Sequence, residues 1–348
     1  MESSRRRAIR SEDRSQPARI SRGLSLREAV SAVLARRRDR GPVRRTVRTS
    51  SRPRERNAVR ADDDGFALDD PREMRARQSL RRLLVQGPSQ GRELALISSA
   101  ALSDVGRWRQ TNQDACLVND ELHLYLLADG MGGHAAGGTA SKMTVETIDE
   151  FVRTAASSNP RVSWPFGYDE RIPFQHNVLQ SACRLANLRV CRQAEQKEGC
   201  AGMGSTIVSV WILNGKAYYS HLGDSRLYLL RSGGLDQLTE DHSMVQQQLK
   251  LGVITEEQAR THAFKNVITR AIGVPDNSEI PVGEVVLEKG DRLMLACDGL
   301  TDQLTDPVIR WMLLQESDLR KACRNLVEAA NQTGGPDNIT VVLVDYDA

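Results

Sequence analysis

The feature that most constrains the fold is a series of short apolar runs in the second part of the chain. Six of them have the length and composition of strands, at 122–128, 206–213, 216–222, 226–230, 292–297 and 339–345. Asn214 and Gly215, between two of these runs, form the dipeptide of a tight hairpin turn. Helical periodicity appears in longer stretches, at 139–156, 176–196, 254–263 and 317–331. Hairpins combined with long helices predict an antiparallel sheet core covered by helices.

The two parts of the chain carry opposite charge. Residues 1–92 contain 25 arginines, no lysine and 12 acidic residues, whereas the remainder contains 23 basic and 33 acidic residues. A change of composition this sharp marks a domain boundary. We therefore expect an extension at 1–92 and one folded domain at 93–348, which is long enough to bury a large core.

The extension is rich in Arg, Ser, Pro and Asp and has one aromatic residue, Phe66. Such a segment buries too little apolar surface to offset its chain entropy, so we expect it to be mostly disordered. Within it, 25–38 has the pattern of a short amphipathic helix, with Ser25 and Glu28 at the spacing of a capping box. A basic helix suits an anionic membrane, nucleic acid or protein partner. A solvated tail with a transient helix is the interpretation we prefer, and the binding helix stays open beside it.

Several classes of protein are disfavoured. No segment approaches the ~18 uncharged apolar residues of a membrane helix, and the N-terminus lacks the apolar core of a secretory signal. The six cysteines are scattered without a C-x-x-C pair, which disfavours a zinc ribbon and a disulfide scaffold. We therefore expect a cytoplasmic protein.

Four aspartates adjoin glycine at the edges of predicted strands: Asp129, Asp224, Asp298 and Asp337. One such residue is usually a turn former. Four of them would gather carboxylates that repel one another unless cations neutralise them. Hard oxygen ligands suit Mg²⁺ or Mn²⁺ rather than zinc.

A guanidinium precedes another carboxylate in the segment that ends at Asp114. Arg109 lies five residues before this aspartate. Because arginine is the natural bidentate clamp for phosphate, the segment indicates a phosphate-binding site beside the carboxylates.

Taken together, these residues resemble the metal-dependent protein phosphatases (PPM, the type 2C Ser/Thr phosphatases) in their bacterial branch. Eight motifs occur in the order of the family across about 95–346. They are Arg109-x-x-Asn-Gln-Asp114, Ala128-Asp-Gly-Met-Gly-Gly-His134, Gly202-Met-Gly-Ser-Thr206, Gly223-Asp-Ser-Arg226, Leu238-Thr-x-Asp-His242, His262-x-x-x-Asn-Val-Ile-Thr-Arg270, Cys297-Asp-Gly-Leu-Thr-Asp302 and Gly335-Pro-Asp-Asn-Ile-Thr340. The resemblance implies an α+β fold, a four-layer α-β-β-α sandwich of two antiparallel sheets flanked by helices.

The resemblance also implies a ligand set for two Mn²⁺ or Mg²⁺ ions. Asp129 would bridge the two ions, and the carbonyl of Gly130 would bind one of them. Asp298 and Asp337 would complete the shell of the other ion. Asp114 would hold the second ion directly or through water.

Further roles follow from the same resemblance. Asp224 and Asp298 would hold a third ion, Arg109 would bind the substrate phosphate, and 241–265 would form a flap beside the site. The acid that protonates the leaving group stays open between His134 and a metal-bound water.

The implied reaction is hydrolysis of phosphoserine and phosphothreonine on proteins. A hydroxide bridging the two metals attacks phosphorus directly, without a phosphoenzyme. The expected partners are phosphorylated proteins, among them a Ser/Thr kinase that the enzyme opposes. We expect a monomer that binds no specific nucleic acid, with an anionic surface as a partner for the basic arm.

Two alternatives remain at this point. Residues 130–135 fit the outline of a dinucleotide fingerprint, with Asp149 about 20 residues further on. The carboxylate of Asp129 would, however, point at the pyrophosphate, and the pattern lacks repeated βαβ units. The second alternative is a non-catalytic PPM-like binding module whose basic arm recruits an anionic partner.

Overall fold

The computed structural model describes residues 96–133, 136–157, 164–275 and 279–347. The expected extension at 1–92, its helix at 25–38 and the candidate catalytic residue His134 lie outside the described residues. Among the described helices, none combines the length and the apolar character needed to cross a membrane.

The described strands and helices alternate along the chain much as the apolar pattern predicts. The strands are β1 (Leu96–Asp104), β2 (Asp114–Asn119), β3 (Leu124–Met131), β4 (Gly204–Ser205), β5 (Ile207–Leu213), β6 (Lys216–Leu222), β7 (Arg226–Arg231), β8 (Gly234–Gln237), β9 (Val282–Val286), β10 (Asp291–Ala296) and β11 (Ile339–Asp347). The helices are α1 (Ala136–Ala156), α2 (Phe174–Gln196), α3 (Met244–Lys250), α4 (Glu256–Arg260), α5 (Asp298–Thr301), α6 (Asp306–Gln315) and α7 (Leu319–Gln332).

The strands form two antiparallel sheets. One sheet has the order β1-β11-β10-β7-β8, and the other has the order β2-β3-β5-β6-β9 with the short β4 paired to the end of β3. The hairpin between β5 and β6 turns at Asn214 and Gly215, whose φ angles of 52° and 75° are those of the tight turn predicted for this dipeptide.

Strand β3 shows why the central strands read as continuous apolar runs. Leu124 and Leu126 face α1 and α2, where they pack in one cluster with Ile148. Tyr125 and Leu127 point the other way and pack between the two sheets. Because side chains alternate across a strand, a strand covered on both faces needs apolar residues at every position.

The sheet that contains β10 and β11 is covered in the same manner on its outer face. Met294 and Leu343 pack there against Leu326 of α7, whereas Leu295 and Val342 face the sheet that contains β3. The layers therefore follow the order helix, sheet, sheet, helix, and the expected four-layer α+β sandwich is confirmed.

The dinucleotide alternative is wrong, because the strand that carries its fingerprint does not belong to a parallel βαβ unit. Strand β3 pairs antiparallel with both β2 and β5. The helix predicted at 254–263 is also shorter than expected. Its regular part is α4, which begins after the N-cap Thr255 and ends before Thr261, with Thr255 and Gln258 forming a capping box at its start.

The antiparallel register brings the functional segments to one end of the sandwich. The start of β2 pairs with the end of β3, and the start of β7 pairs with the end of β10. The start of β11 lies beside the end of β10 at the same edge. The loops that carry the aspartates therefore meet at this end.

Candidate active site

Two of the predicted metal ligands are direct partners across the β2–β3 ladder. Asp114 and Asp129 occupy the same register position, so their side chains leave the sheet on the same face. The Thr340 hydroxyl donates a hydrogen bond to Asp114 Oδ2 at 2.6 Å. The backbone N–H of Asp129 donates to Thr206 Oγ1 at 2.9 Å. Both aspartates are thus fixed in place by neutral groups that add no positive charge.

The carboxylate of Asp129 lies at the centre of the acidic cluster. Its pKa is raised well above the usual value, first by burial and then by the charges of Asp114, Asp298, Asp224 and Asp337. These four residues are the other carboxylates that the sequence assigns to metal binding. The structure therefore brings all five predicted acidic ligands together.

Two oxygen atoms in this cluster are buried without a hydrogen-bond donor. They are Oδ1 of Asp114 and Oδ1 of Asp298. Burial raises the pKa of both carboxyls, that of Asp114 to about 6. A buried acceptor with no partner is costly unless a cation or water reaches it. These atoms fit divalent cations, whose preferred ligands are carboxylate oxygens.

Asp224 joins the cluster from the loop between β6 and β7. Among the charged neighbours of Asp298, it raises the pKa of that residue most. Its own pKa is raised to about 6, first by burial and next by the charge of Asp241. The pair formed by Asp224 and Asp298 is the predicted set for a third ion.

Gly130, the residue after Asp129, lies in a position with no room for a side chain. A Cβ at this position would lie 2.2 Å from the carbonyl oxygen of Gly137 and 2.5 Å from that of Gln113. The backbone N–H of Gly130 donates to this Gln113 oxygen at 3.1 Å. The first turn of α1 therefore packs directly on the backbone that would offer the Gly130 carbonyl to an ion.

Arg109 lies at the rim of the cluster. Its Nη2 donates to Asp337 Oδ2 at 2.7 Å, and about half of its side chain is exposed. Asp337 Oδ1 accepts from the backbone N–H of Asn338 at 2.8 Å. A partly exposed guanidinium held beside the carboxylates is well placed to meet a phosphate.

Asn338 holds the arginine segment against the start of β11. Its side-chain amide donates to the carbonyls of Val105 and Thr111 at 3.0 and 3.1 Å, and its Oδ1 accepts from the backbone of Gln113 at 2.8 Å. Asn338 is not among the site residues predicted from the sequence. It lies in the motif at 335–340, but its role depends on partners that are more than 220 positions away in the chain.

The segment expected to form the flap begins at a largely buried ion pair. Arg226 donates from Nε to Asp241 Oδ1 at 2.9 Å and from Nη2 to Oδ2 at 2.7 Å. The next residue, His242, stacks on His221 with ring centroids 4.6 Å apart. Further along the flap, the ammonium of Lys265 donates to the carboxylate of Asp302 at the end of α5. The flap is thus attached at two points beside the acidic cluster.

No complete metal site is formed by protein side chains alone in the part of the chain that the structure describes. Within it, no three acidic, histidine or cysteine side chains are grouped so that they could hold an ion together. Mg²⁺ commonly retains several coordinated waters in proteins and is bound by only one or two carboxylates. Backbone carbonyl and water oxygens would therefore have to complete each coordination shell.

Comparison with known proteins agrees with this geometry. The sequence profile of the protein phosphatase 2C family matches residues 107–343. The protein phosphatase PhpP of Streptococcus pneumoniae is 38% identical over 251 residues, which cover 71% of this chain and 96% of that protein.

Solved structures give the same result. The serine/threonine phosphatase PstP/Ppp of Mycobacterium tuberculosis is 34% identical with a TM-score of 0.63, covering 72% of this chain and 99% of that one. The catalytic domain of a serine/threonine phosphatase PstP in complex with two manganese ions is 31% identical with a TM-score of 0.61, covering 73% and 100%. The chain belongs to the protein phosphatase 2C family of metal-dependent Ser/Thr phosphatases, in its bacterial branch.

Proposed function

We propose that this protein phosphatase hydrolyses phosphoserine and phosphothreonine on proteins by direct transfer of the phosphoryl group to water. The observation that carries the proposal is the convergence of five carboxylates around Asp129, with the guanidinium of Arg109 at their rim. Such a site combines ligands for divalent cations with a clamp for the phosphate of the substrate.

The carboxylates would hold two Mn²⁺ or Mg²⁺ ions. Asp129 would bridge the ions, with the Gly130 carbonyl on one of them, and Asp298 with Asp337 on the other. Asp114 would hold the second ion directly or through water. When bound, such ions would lower the pKa of a coordinated water and so supply the nucleophile near neutral pH.

A third ion would lie between Asp224 and Asp298. The charge of Asp224 raises the pKa of Asp298, which supports this assignment. Both carboxyls are protected from solvent, so a cation would remove a repulsion that water screens poorly.

Arg109 would bind the phosphate of the substrate. To do so its guanidinium must exchange part of its contact with Asp337 for the phosphoryl oxygens, and its exposed half makes it reachable from solvent. Two parallel N–H groups can orient the phosphoryl group for in-line attack and stabilise the charge on its equatorial oxygens. No side chain has to become phosphorylated in this scheme.

The serine or threonine oxygen that leaves must receive a proton. We propose His134 or a metal-bound water for this step, the two candidates that the family resemblance leaves open. A His134→Gln variant that loses activity relative to wild type only below the pKa of the imidazole, where the ring carries the proton, would favour the histidine. Unchanged activity over the same pH range would favour water.

We further propose that the substrates include a Ser/Thr kinase and its targets, and that the enzyme acts as a cytoplasmic monomer. The names of the bacterial relatives support phosphoprotein substrates. All six cysteines are unpaired in the structure, which suits a reducing compartment.

The test is phosphate release from a phosphothreonine peptide in Mn²⁺ and in EDTA. We expect turnover that needs Mn²⁺ and stops in EDTA. A folded protein that releases no phosphate in Mn²⁺ would instead favour the non-catalytic binding module.

A further inference from the structure

Trp108 is exposed to an unusual degree for a tryptophan. Its exposed fraction is 79%, the highest among the large apolar residues that the structure describes. By contrast, Trp211 is 1% exposed, and Trp164 and Trp311 are partly buried. A large ring left in water is informative, because tryptophan is highly buried on average and its exposure marks surfaces that bind other molecules.

The backbone that carries this ring is fixed. Gly106 has a φ of 78°, and a Cβ there would lie 2.1 Å from the carbonyl oxygen of Asp337. The N–H of Gly106 donates to Asp104 Oδ1 at 2.8 Å, and that of Arg107 donates to the carbonyl of Gly335 at 2.7 Å. The turn that holds Trp108 is therefore tied to the loop that contains a metal-ligand candidate.

Trp108 is also the chain neighbour of the proposed phosphate clamp. It directly precedes Arg109, whose guanidinium contacts Asp337 at 2.7 Å. Successive Cα atoms of a chain lie about 3.8 Å apart, and both side chains are exposed. A peptide whose phosphate is bound by Arg109 therefore passes close to the turn that carries the exposed indole.

We infer that Trp108 is a specificity-determining residue that packs against an apolar side chain next to the phosphorylated residue of the substrate. The inference rests on the proposed phosphoprotein phosphatase activity and names a substrate class for it. Val105, 36% exposed on the same turn, adds apolar surface. Arg107 and Arg109, the residues before and after Trp108 in the chain, are exposed, so their positive charge should repel a lysine or arginine at the same position of the substrate.

Two phosphothreonine peptides test the inference. They differ only in the residues flanking the phosphothreonine, which are leucine in one and alanine in the other. In Mn²⁺, wild type should hydrolyse the leucine peptide with a kcat/KM about threefold to tenfold higher, as expected for partial burial of a leucine side chain. Trp108→Ala should bring this ratio to about one, mainly through a fall in kcat/KM for the leucine peptide.

Two further variants separate recognition from structure. Trp108→Phe keeps an aromatic surface and should retain most of the preference for leucine. Phe166→Ala serves as the matched control, because Phe166 is a partly exposed aromatic residue that contacts Arg184 of α2 instead of the acidic cluster. It should leave the ratio at its wild-type value.

Each contrary outcome has a distinct meaning. Equal kcat/KM of wild type for the two peptides, or an equal loss on both in Trp108→Ala, would overturn the role of Trp108 while the phosphatase activity stands. A preference for acidic flanking residues would assign the recognition to the neighbouring arginines and would also overturn it. Absence of phosphate release from both peptides by wild type would overturn the proposed function, and the inference with it.

Discussion

Asp114 on β2 and Asp129 on β3 are direct cross-strand partners, so two carboxylates face each other at the edge of the sheet. Neither aspartate has a positively charged partner among its described hydrogen bonds. The Thr340 hydroxyl donates to the carboxylate of Asp114, and the backbone N–H of Asp129 donates to the Thr206 hydroxyl. Like charges at directly opposed positions destabilise a strand pair. The fold therefore accepts a local repulsion that bound cations would relieve, and this exchange of stability for function can be measured.

Asp114→Asn should stabilise the metal-free protein and weaken its activity. The change removes one of the two opposed charges, and an amide oxygen can still accept from Thr340. In EDTA we expect the free energy of unfolding to rise by about 1 kcal/mol, the scale of one unfavourable cross-strand pair. Urea unfolding in EDTA checks this, and a lower or unchanged stability of the variant would contradict it. Mn²⁺ should then stabilise the variant less than it stabilises wild type.

Arg109→Lys should lower kcat/KM for a phosphothreonine peptide by roughly tenfold or more, because lysine keeps the charge but loses the bidentate clamp. Steady-state kinetics in saturating Mn²⁺ measures the effect. Arg107→Lys is the matched control on the neighbouring residue, and its kcat/KM should stay at the wild-type value. Equal kinetics of Arg109→Lys and wild type would remove Arg109 from phosphate binding.

Lys265→Ala should raise the KM for a peptide substrate by about twofold to fivefold with little change in stability. The side chains of Lys265 and Asp302 are each 39% exposed, and exposed ion pairs contribute only about 0–1 kcal/mol. Their contact nevertheless attaches the flap to α5, and releasing it should affect substrate binding more than folding. Kinetics and thermal unfolding together test this. A large fall in melting temperature would show that the pair is structural instead.

The stacked histidines at the start of the flap predict a loss of stability on acidification. Burial, followed by the charges of His221, Arg270 and Lys250, lowers the pKa of His242 to about 3, and burial also lowers the pKa of His221. Because the folded pKa of His242 lies below its unfolded value of about 6.5, the unfolded chain binds more protons between these limits. The stabilising contribution of the neutral ring is complete above pH ~6.5 and is lost as the pH falls towards 3.

Urea unfolding at pH 7 and pH 5 measures this contribution. The contribution of His242 should stay below the roughly 2 kcal/mol that its pKa shift alone would give at pH 5, because the ring is partly exposed and solvent screens its charge. His242→Asn keeps an acceptor for the N–H of Gly223, which now donates to His242 Nδ1 at 3.2 Å. This variant should lose less stability than wild type between the two pH values. An identical loss in both proteins would show that His242 is not the responsible group.

The sequence predicts the central strands well because burial on both faces leaves a clear pattern. Residues 291–296 of β10 are all buried, and the apolar run predicted there agrees within one residue at each end. Strand β1 was not predicted, since its burial alternates between exposed and partly buried positions and it contains four polar residues. Helix α5 is also missed, because four residues are too few for helical periodicity to show.

Some residues of the candidate site can likewise be predicted from the sequence, and others cannot. Carboxylates such as Asp129 stand out in the sequence because an acidic residue at the end of an apolar strand needs an explanation. Thr340 and Asn338 do not stand out, since a neutral hydrogen-bonding group gains its role only through partners far away in the chain. The role of Trp108 could not be predicted either, because exposure depends on the surrounding fold and the residue type alone favours burial.

The most direct test of the account is phosphate release from a phosphothreonine peptide by wild type, Asp129→Asn and Asp236→Asn in Mn²⁺. Asp236 is an exposed acidic residue of β8, so its variant controls for the loss of one negative charge. Wild type and Asp236→Asn should be equally active, and Asp129→Asn should be slower by roughly 100-fold or more, because metal-ion catalysis contributes several kcal/mol to the rate. Circular dichroism should show that all three proteins are folded. Near wild-type activity of a folded Asp129→Asn would contradict the account, because a phosphatase that works without this carboxylate does not use the acidic cluster described above.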